Sequence, residues 1–434
     1  MSLTFVAIAG IVLLLCSLLV LRVPVGFGMG IVGFIGFAYV VNFKAASGML
    51  GTEVWGIFSS YGLTTIPLFI LMGQICFHAG LNKRLYHTAY VLMGGIKGGL
   101  AIATILACAG FSMISGSNTA TAATMSAVAL PEMRKYNYSQ VLAASSVAVG
   151  GTLGALIPPS VVMMIIALET GLSMGKIFCG GILVGALLTI LLCFTIVAIC
   201  RLHPTWGPNG PKTSLKEKLL ALPGALDMLL IFALVMTGLF TGIFTPSEAG
   251  AAGAAIALSV SLVTRRLSWQ GFRLAVYDTV RVSCMIFSLI LGGIIFGRFL
   301  AVTRLPYEMA QWASGQDLPI ALILVIICIV YIIGGMLLDA LALLVMTIPI
   351  FFPLAEHLGI DQLWFAVLIT LVTTMGAVTP PVAINVFVVS SMCPGLPLDK
   401  LFRGVMYFIL AYLVCIGIMT VFPGIAISIP ALVK

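Results

Sequence analysis

The chain has 434 residues, of which 61% are hydrophobic and only 8% charged, with a formal net charge of +8 and a mean hydropathy of +1.22. No soluble globular domain has this composition, so the chain is read as an all-α polytopic membrane protein, and its positive charge as loop asymmetry with no nucleic acid as partner. Ten scattered cysteines without CxxC spacing, four histidines in no ligand pattern and the lack of a GxxxxGK[ST] loop argue against a disulfide scaffold, a metal centre and ATP hydrolysis.

In chain order, the first crossing is expected at 3–22. Met1–Gly10 carries no Lys or Arg, unlike a secretory leader, so this run is read as a retained span. Crossings follow at 24–42 and 55–79. Segment 98–131 is interrupted at its centre by the polar run Ser115, Gly116, Ser117, Asn118, Thr119, Ala120, Thr121, and reads as a re-entrant helical hairpin. Segment 139–170 contains Gly154-Ala155-Leu156-Ile157-Pro158-Pro159 and reads as a broken helix, and 176–200 as a last span. The polar linker 206–222 is placed in the cytoplasm and need not fold. Beyond it come a scaffold at about 223–300, a second hairpin at 319–353 with its tip at Gly334–Asp339, a second broken helix at 362–391 and a span at 405–428.

These segments are two copies of one unit, 1–205 and 223–434, the first with its own scaffold at about 1–80. Gly154, Ala155, Pro158 and Pro159 recur as Gly376, Ala377, Pro380 and Pro381 at an offset of 222 residues, and the same offset relates Pro24 to Pro246, Gly28 to Gly250 and Pro131 to Pro353. Five crossings and one hairpin per unit make an odd count, so the second copy enters from the opposite side and the repeats are inverted. Placing the linker inside puts 16 of the 21 Lys and Arg on the cytoplasmic side, leaving Lys44, Lys176, Arg298, Arg304 and Lys434 outside with both termini. Inverted repeats with interrupted segments at matching places are the signature of a secondary transporter.

The interruptions are where chemistry is expected. A second consecutive proline cannot donate a backbone hydrogen bond and its ring clashes with the preceding turn, so the helix must unwind before Pro159 and Pro381. Freed carbonyls facing lipid would cost on the order of several kcal/mol each, so the breaks must line a protein-enclosed cavity or bind something. Carbonyls beside Ser, Thr and Asn oxygens form a neutral cage of the kind that hard monovalent cations such as Na⁺ favour. The returning hairpin arms begin near the bilayer midplane with free N–H groups, which attract a carboxylate. A lone Pro-Pro is usually only a kink; two at matched positions, each behind a polar tip, point to binding.

Asp339 is the acid expected deepest in the membrane, where it could ligand a cation, position the hairpin, carry a proton or simply cap the returning helix. Arg298 could pair with a substrate carboxylate or snorkel from a span's end. Pro246-Ser247-Glu248 reads as a helix start with an acidic first turn.

Gly116-Ser117-Asn118-Thr119-Ala120-Thr121, Gly154–Ser160, Pro246-Ser247-Glu248-Ala249-Gly250, the Asp339 hairpin and Gly376–Pro381 together resemble the large permease subunit of tripartite ATP-independent periplasmic (TRAP) transporters, and the resemblance runs essentially end to end. It implies an elevator mechanism in the bacterial inner membrane, surrounded by membrane lipid, and Na⁺-driven uptake of a small organic acid such as sialic acid, a C4-dicarboxylate or a sugar acid. It also implies two partners, a periplasmic substrate-binding protein and a small four-helix membrane subunit; the chain starts directly with the first span, so that subunit is expected to be separate. By the same resemblance, one sodium site would use Ser115, Gly116, Ser117 and Asn118 with Gly154 and Pro158. The other would use Gly335 and Asp339 with Gly376, Thr379 and Pro380. Substrate would lie near Ser117, Asn118, Thr119, Asp339 and Asn385, with Arg298 as a further candidate. A stand-alone Na⁺- or H⁺-coupled anion symporter is the alternative. An intramembrane enzyme would need a catalytic constellation, and there is no HExxH, no carboxylate pair at helical spacing and no Ser/His arrangement.

Overall fold

A computed structural model describes residues 3–210, 213–315 and 319–428; Met1, Lys212 and Lys434 lie outside the described residues. In the first half, two short apolar helices, α1 (Leu3–Leu19) and α2 (Val25–Val40), precede α3 (Phe43–Phe58) and α4 (Thr65–His78), a pair bent by 57°. Helix α5 (Leu81–Met93) follows, then the hairpin of α6 (Gly99–Ser115) and α7 (Asn118–Lys135). An interrupted helix, α8 (Gln140–Gly151), α9 (Leu153–Leu156) and α10 (Val161–Thr170), leads into the long α11 (Met174–Leu202). After α12 (Leu215–Ala221) come α13 (Pro223–Phe240), α14 (Pro246–Val263), the 34-residue α15 (Trp269–Val302) and α16 (Leu305–Gly315). A hairpin of α17 (Ile320–Leu337) and α18 (Ala340–His357), the broken pair α19 (Gln362–Gly376) and α20 (Ile384–Ser391), α21 (Leu398–Val421) and α22 (Gly424–Ile427) follow. Among the described residues eight helical segments are long and apolar enough to cross a membrane, and the only extended pairing is an isolated bridge between Lys97 and Asn209.

Several boundaries differ from the sequence reading. The crossing expected at 55–79 starts only after the bend, because α3 is a separate helix opened by the Asn42 side chain, which accepts from Ala45 N at 2.8 Å. Segment 81–93, which lies between the expected crossings, is helical: it buries Leu81, Leu85, Ala89 and Val91 on one face and leaves Lys83 and His87 on the other. The last long helix starts at Leu398, not 405, because Pro397 and the first-turn Asp399 suit a helix start. Pro246-Ser247-Glu248 does begin a helix, with Thr245 and Glu248 forming a capping box.

Burial sorts the helices. The segment α8–α10 is almost wholly enclosed, and α19 is buried along its length, whereas α17 keeps much of its surface exposed. Elsewhere α2 crosses α15 in backbone contact: a Cβ added at Gly292 would fall 2.0 Å from the Gly26 carbonyl oxygen, so this crossing admits no side chain. Helix α14 packs on α4, with the Thr65 and Ser247 hydroxyls 2.8 Å apart.

The described parts of the interhalf linker, 206–210 and 213–222, lie against the first half. They run antiparallel to 88–98: Gly98 N donates to Gly207 O, Gly210 N to Gly94 O, Thr213 Oγ1 to Val91 O and Thr88 Oγ1 to Ala221 O, at 2.7–3.0 Å. Trp206 stacks on His203 at 4.5 Å, and its carbonyl accepts from Ser139 N.

Candidate functional site

At the first hairpin tip, α6 ends at Ser115 and Gly116 takes the left-handed conformation (φ 58°) that lets the chain reverse. Ser117 opens α7, its Oγ accepting from Ala120 N at 3.4 Å and lying 3.4 Å from Thr119 Oγ1. Ser115 Oγ meets Thr121 Oγ1 at 2.6 Å. This tip rests directly on the first break. The helix stops at Leu156 and resumes at Val161, leaving 157–160 unwound around a cis Pro158–Pro159 bond. Val161 N reaches back to Gly116 O at 3.3 Å, and a Cβ on Gly154 would lie 2.4 Å from Ser117 O and 3.0 Å from Asn118 N. Ser115, Gly116, Ser117, Asn118, Gly154 and Pro158 are thus brought together, and Thr119 follows one residue into α7.

The second tip repeats the arrangement with different side chains. Asp339 opens α18 by accepting from Leu341 N at 3.1 Å, and its own side chain is exposed. The break between α19 and α20 spans 377–383, again with a cis bond, Pro380–Pro381. Gly335 and Gly376 touch through their backbones: a Cβ on Gly376 would lie 2.9 Å from the Gly335 Cα. Ala383 N donates to Met336 O at 3.0 Å, and Thr379 Oγ1 donates to Met375 O at 2.7 Å, which leaves the Thr379 lone pairs for another partner.

Asn385 ties the two halves together. It is fully buried on α20, which packs on α7 and α8 of the first half, and its Nδ2 donates to Ala148 O at 3.4 Å. Among the described residues its Oδ1 has no hydrogen-bond partner, and neither has Asn118 Oδ1, although both are out of contact with solvent. Buried amide oxygens are seldom left unpaired, so each marks a place where a donor or cation is expected. Ser112 Oγ on α6 and Ser146 Oγ on α8 are unpaired in the same way. Sequence reading missed both, since a serine inside an apolar helix gives no local signal; their nearness to the tip and the break in sequence was the only available hint. Arg298 stands apart from the tips: its Nε donates to Glu53 Oε1 at 2.7 Å, joining α15 to α3.

What this arrangement can do follows from its chemistry. The first unwound segment presents main-chain carbonyls to a hydroxyl- and amide-bearing tip, an all-oxygen, neutral environment suited to a hard monovalent cation; at the second, the Thr379 hydroxyl on the unwound segment and the Asp339 carboxylate at the tip supply the side-chain oxygens. Helices α7, α10, α18 and α20 all begin at the breaks or tips, and their first N–H groups offer partial positive charge to an anion. Among the described residues no cluster of His, Cys, Asp and Glu could hold a transition metal.

Residues 12–425 match the family described as "Tripartite ATP-independent periplasmic transporter, DctM component". The C4-dicarboxylate TRAP transporter large permease protein DctM of Pseudomonas aeruginosa is 34% identical over 371 residues, covering 85% of this chain and 86% of that protein. The sialic acid TRAP transporter large permease protein SiaM of Vibrio cholerae is 31% identical over 425 residues, covering 96% of each. Among solved structures, the YdaH transporter of Alcanivorax borkumensis superposes with a TM-score of 0.64 over 89% of this chain and 91% of its own; at 13% identity that is a likeness of fold.

Proposed function

The chain belongs to the DctM-component family of tripartite ATP-independent periplasmic transporters, and on that premise we propose that it takes up a small organic acid across the bacterial inner membrane by Na⁺-coupled secondary transport. In this reading the units 1–205 and 223–434 are inverted repeats with both chain termini in the periplasm. The hairpins, the broken helices and the span behind each move together as an elevator against a scaffold made from the first helices of each unit. A periplasmic binding protein delivers the acid, and a small four-helix subunit packs on the scaffold. The acid itself is a C4-dicarboxylate, a sialic acid or a sugar acid.

One observation carries the reading: each unwound segment is pressed against a hairpin tip, and among the described residues the buried oxygens Asn118 Oδ1 and Asn385 Oδ1 have no partner. A sodium ion at the first tip would draw on the Ser115–Asn118 segment and the carbonyls around Gly154 and Pro158. One at the second would draw on Gly335, Asp339, Gly376, Thr379 and Pro380. Between them, helix N-termini together with Ser117, Asn118, Thr119, Asp339 and Asn385 would hold a carboxylate. Arg298 is less suited to that task, because it already has a carboxylate partner in Glu53.

The test is uptake by the purified complex in liposomes under an inward Na⁺ gradient, with and without the binding protein. Uptake that requires both supports the reading. Uptake indifferent to the binding protein would make the chain a stand-alone symporter, and uptake driven equally well without Na⁺ would remove the proposed coupling.

A further inference from the structure

Beside the first tip runs a cleft to which no role above is assigned. It consists of two adjoining cavities of about 520 and 530 Å³ that share Lys83, Ala127 and Val128 in their walls. Helix α7 supplies one wall from Ala123 to Lys135, thirteen residues or about 20 Å of helix at about 1.5 Å per residue. The cleft therefore begins less than two turns from Asn118 and ends at the basic end of the hairpin, where Arg134 and Lys135 lie. The end of α4 and the exposed face of α5 form the opposite wall.

The walls differ along their length. Near the tip the α7 wall is small, with Ala123, Thr124, Ala127 and Val128, and the facing wall carries Phe77, His78, Asn82 and Lys83. Further along they carry Lys83, His87 and Lys135, against a single acidic lining residue, Glu132. The neighbouring basic side chains are already partnered: Arg84 donates to Asp227 at 2.6 Å, and His78 Nε2 lies 2.9 Å from Asp278. Lys83 is exposed on α5 and, among the described residues, neither it nor Lys135 has an ion-pair partner. Lys83 also borders both cavities, so an occupant moving along the cleft must pass its ammonium.

We propose that this cleft is the route by which a small organic anion travels between the first tip and the lysine-rich face of the protein, with Lys83 as its electrostatic guide. The inference rests on the uptake reading above and adds a path to it. An anion leaving a polar site for a narrow cleft loses hydration, and an unpaired ammonium halfway along lowers that barrier. A lysine suits the task better than an arginine would. Its compact, strongly hydrated charge on a flexible stem attracts a carboxylate without the planar fork that would hold it. Near the tip, the Ala, Thr and Val side chains of the α7 wall likewise add no charge to trap it, and the volume is that of an ordinary small-molecule site.

The experiment is counterflow in proteoliposomes of the purified complex, loaded inside with unlabelled acid and given labelled acid outside with the cognate binding protein. Succinate, sialic acid and isethionate are tried, and the acid that the wild type exchanges is carried forward. For Lys83→Gln the internal concentration giving half-maximal exchange rises at least threefold and the external half-saturating concentration of loaded binding protein stays the same; Lys83→Arg, which keeps the charge, brings the internal value back down but lowers the maximal exchange rate, because its fork holds the acid. Ala127→Glu, at an exposed wall position, produces the same one-sided rise, which covers the case in which Lys83→Gln folds poorly. Equal internal half-saturation in wild type, Lys83→Gln and Ala127→Glu overturns the route while leaving the uptake reading intact. So does an effect of Lys83 that appears only in liposomes containing anionic phospholipid, since the cleft would then be a lipid headgroup site. Failure of the wild type to exchange any acid overturns the uptake reading and this inference with it.

Discussion

Gly154→Ala tests whether the contact between the first tip and the first break matters for cation binding. The added methyl carbon would sit 2.4 Å from Ser117 O, 2.6 Å from Ser117 C and 3.0 Å from Asn118 N. All three are main-chain atoms, so no flexible side chain can give way. Reaching ordinary contact near 3.4 Å requires the tip to retreat by about 1 Å, the kind of overpacking that costs about 1–3 kcal/mol in a close-packed interior. Such a retreat separates Ser117 and Asn118 from the carbonyls of 154–158, which is large against the tolerance of an oxygen cage. The assay is initial uptake in liposomes as a function of external Na⁺, together with thermal unfolding with and without Na⁺. The half-saturating Na⁺ concentration is expected to rise at least tenfold, and most of the Na⁺-dependent gain in melting temperature to vanish. Gly48→Ala serves as control: it adds a methyl group to a helix interior with nothing within 4 Å and should change neither quantity. Wild-type Na⁺ dependence in Gly154→Ala would refute the reasoning, because the two surfaces would then be in contact without forming a site.

Asn385→Ala removes one long hydrogen bond, to Ala148 O, and one unpaired buried oxygen, so the apo protein should change in stability by no more than about 1 kcal/mol while uptake falls more than tenfold. Equal losses in stability and uptake, measured by thermal unfolding and liposome transport, would mark it as purely structural. Arg298→Gln strands Glu53, whose side chain is only 16% exposed, so Glu53→Gln added to it should restore part of the lost stability. A double-mutant cycle on melting temperature should return a coupling of about 1 kcal/mol, since Arg298 is largely solvent-exposed. If Arg298→Gln instead raises the half-saturating substrate concentration without affecting stability, the arginine belongs to the substrate after all.

The fold class and the family were legible in the sequence because their signals are local and strong. Apolar runs declare spans, and a second consecutive proline stops a helix whatever surrounds it: α9 ends at Leu156 and α19 at Gly376, just ahead of Pro158-Pro159 and Pro380-Pro381. Helices α3 and α5 were not legible as elements. Residues 81–93 interleave Asn82, Lys83, Arg84 and His87 with their apolar side chains, so they lack the unbroken apolar run of a span, and only the buried face shows their period. The placement of Asn385 against Ala148, 237 residues away, is a tertiary fact that no spacing encodes. The same holds for the pairing of Arg298 with Glu53 across 245 residues, which turned a candidate substrate ligand into half of an ion pair. Linker 206–222, polar and proline-rich, looked free to move because the bonds that hold it are mostly between main-chain atoms, and those carry no residue signature.

That linker bears on how the hairpin could move. Helix α5 is fastened to α13 through Arg84 and Asp227, and Asp227 also takes Arg266 at 2.5 Å, so α5 stays with the α13–α14 region. The first hairpin starts only a short turn later, at Gly99, and that turn contains Gly94, Gly95 and Gly98. A hairpin moving relative to α5 must pivot at this turn, and the linker lies along it like a splint, bonded to Gly94 and Gly98 by its own backbone. Trp206 anchors the splint by stacking on His203 and meeting the Tyr407 ring edge at 6.1 Å. Trp206→Ala forfeits about 0.5–1.5 kcal/mol for each aromatic pair, enough to free the splint without touching either tip. Amide exchange at Gly94–Gly99 should then accelerate several-fold and the maximal uptake rate should change, while the half-saturating Na⁺ concentration stays at its wild-type value. Unchanged exchange at these glycines would place the pivot elsewhere. A shift in Na⁺ affinity would mean that the linker acts on the tips and not on the turn.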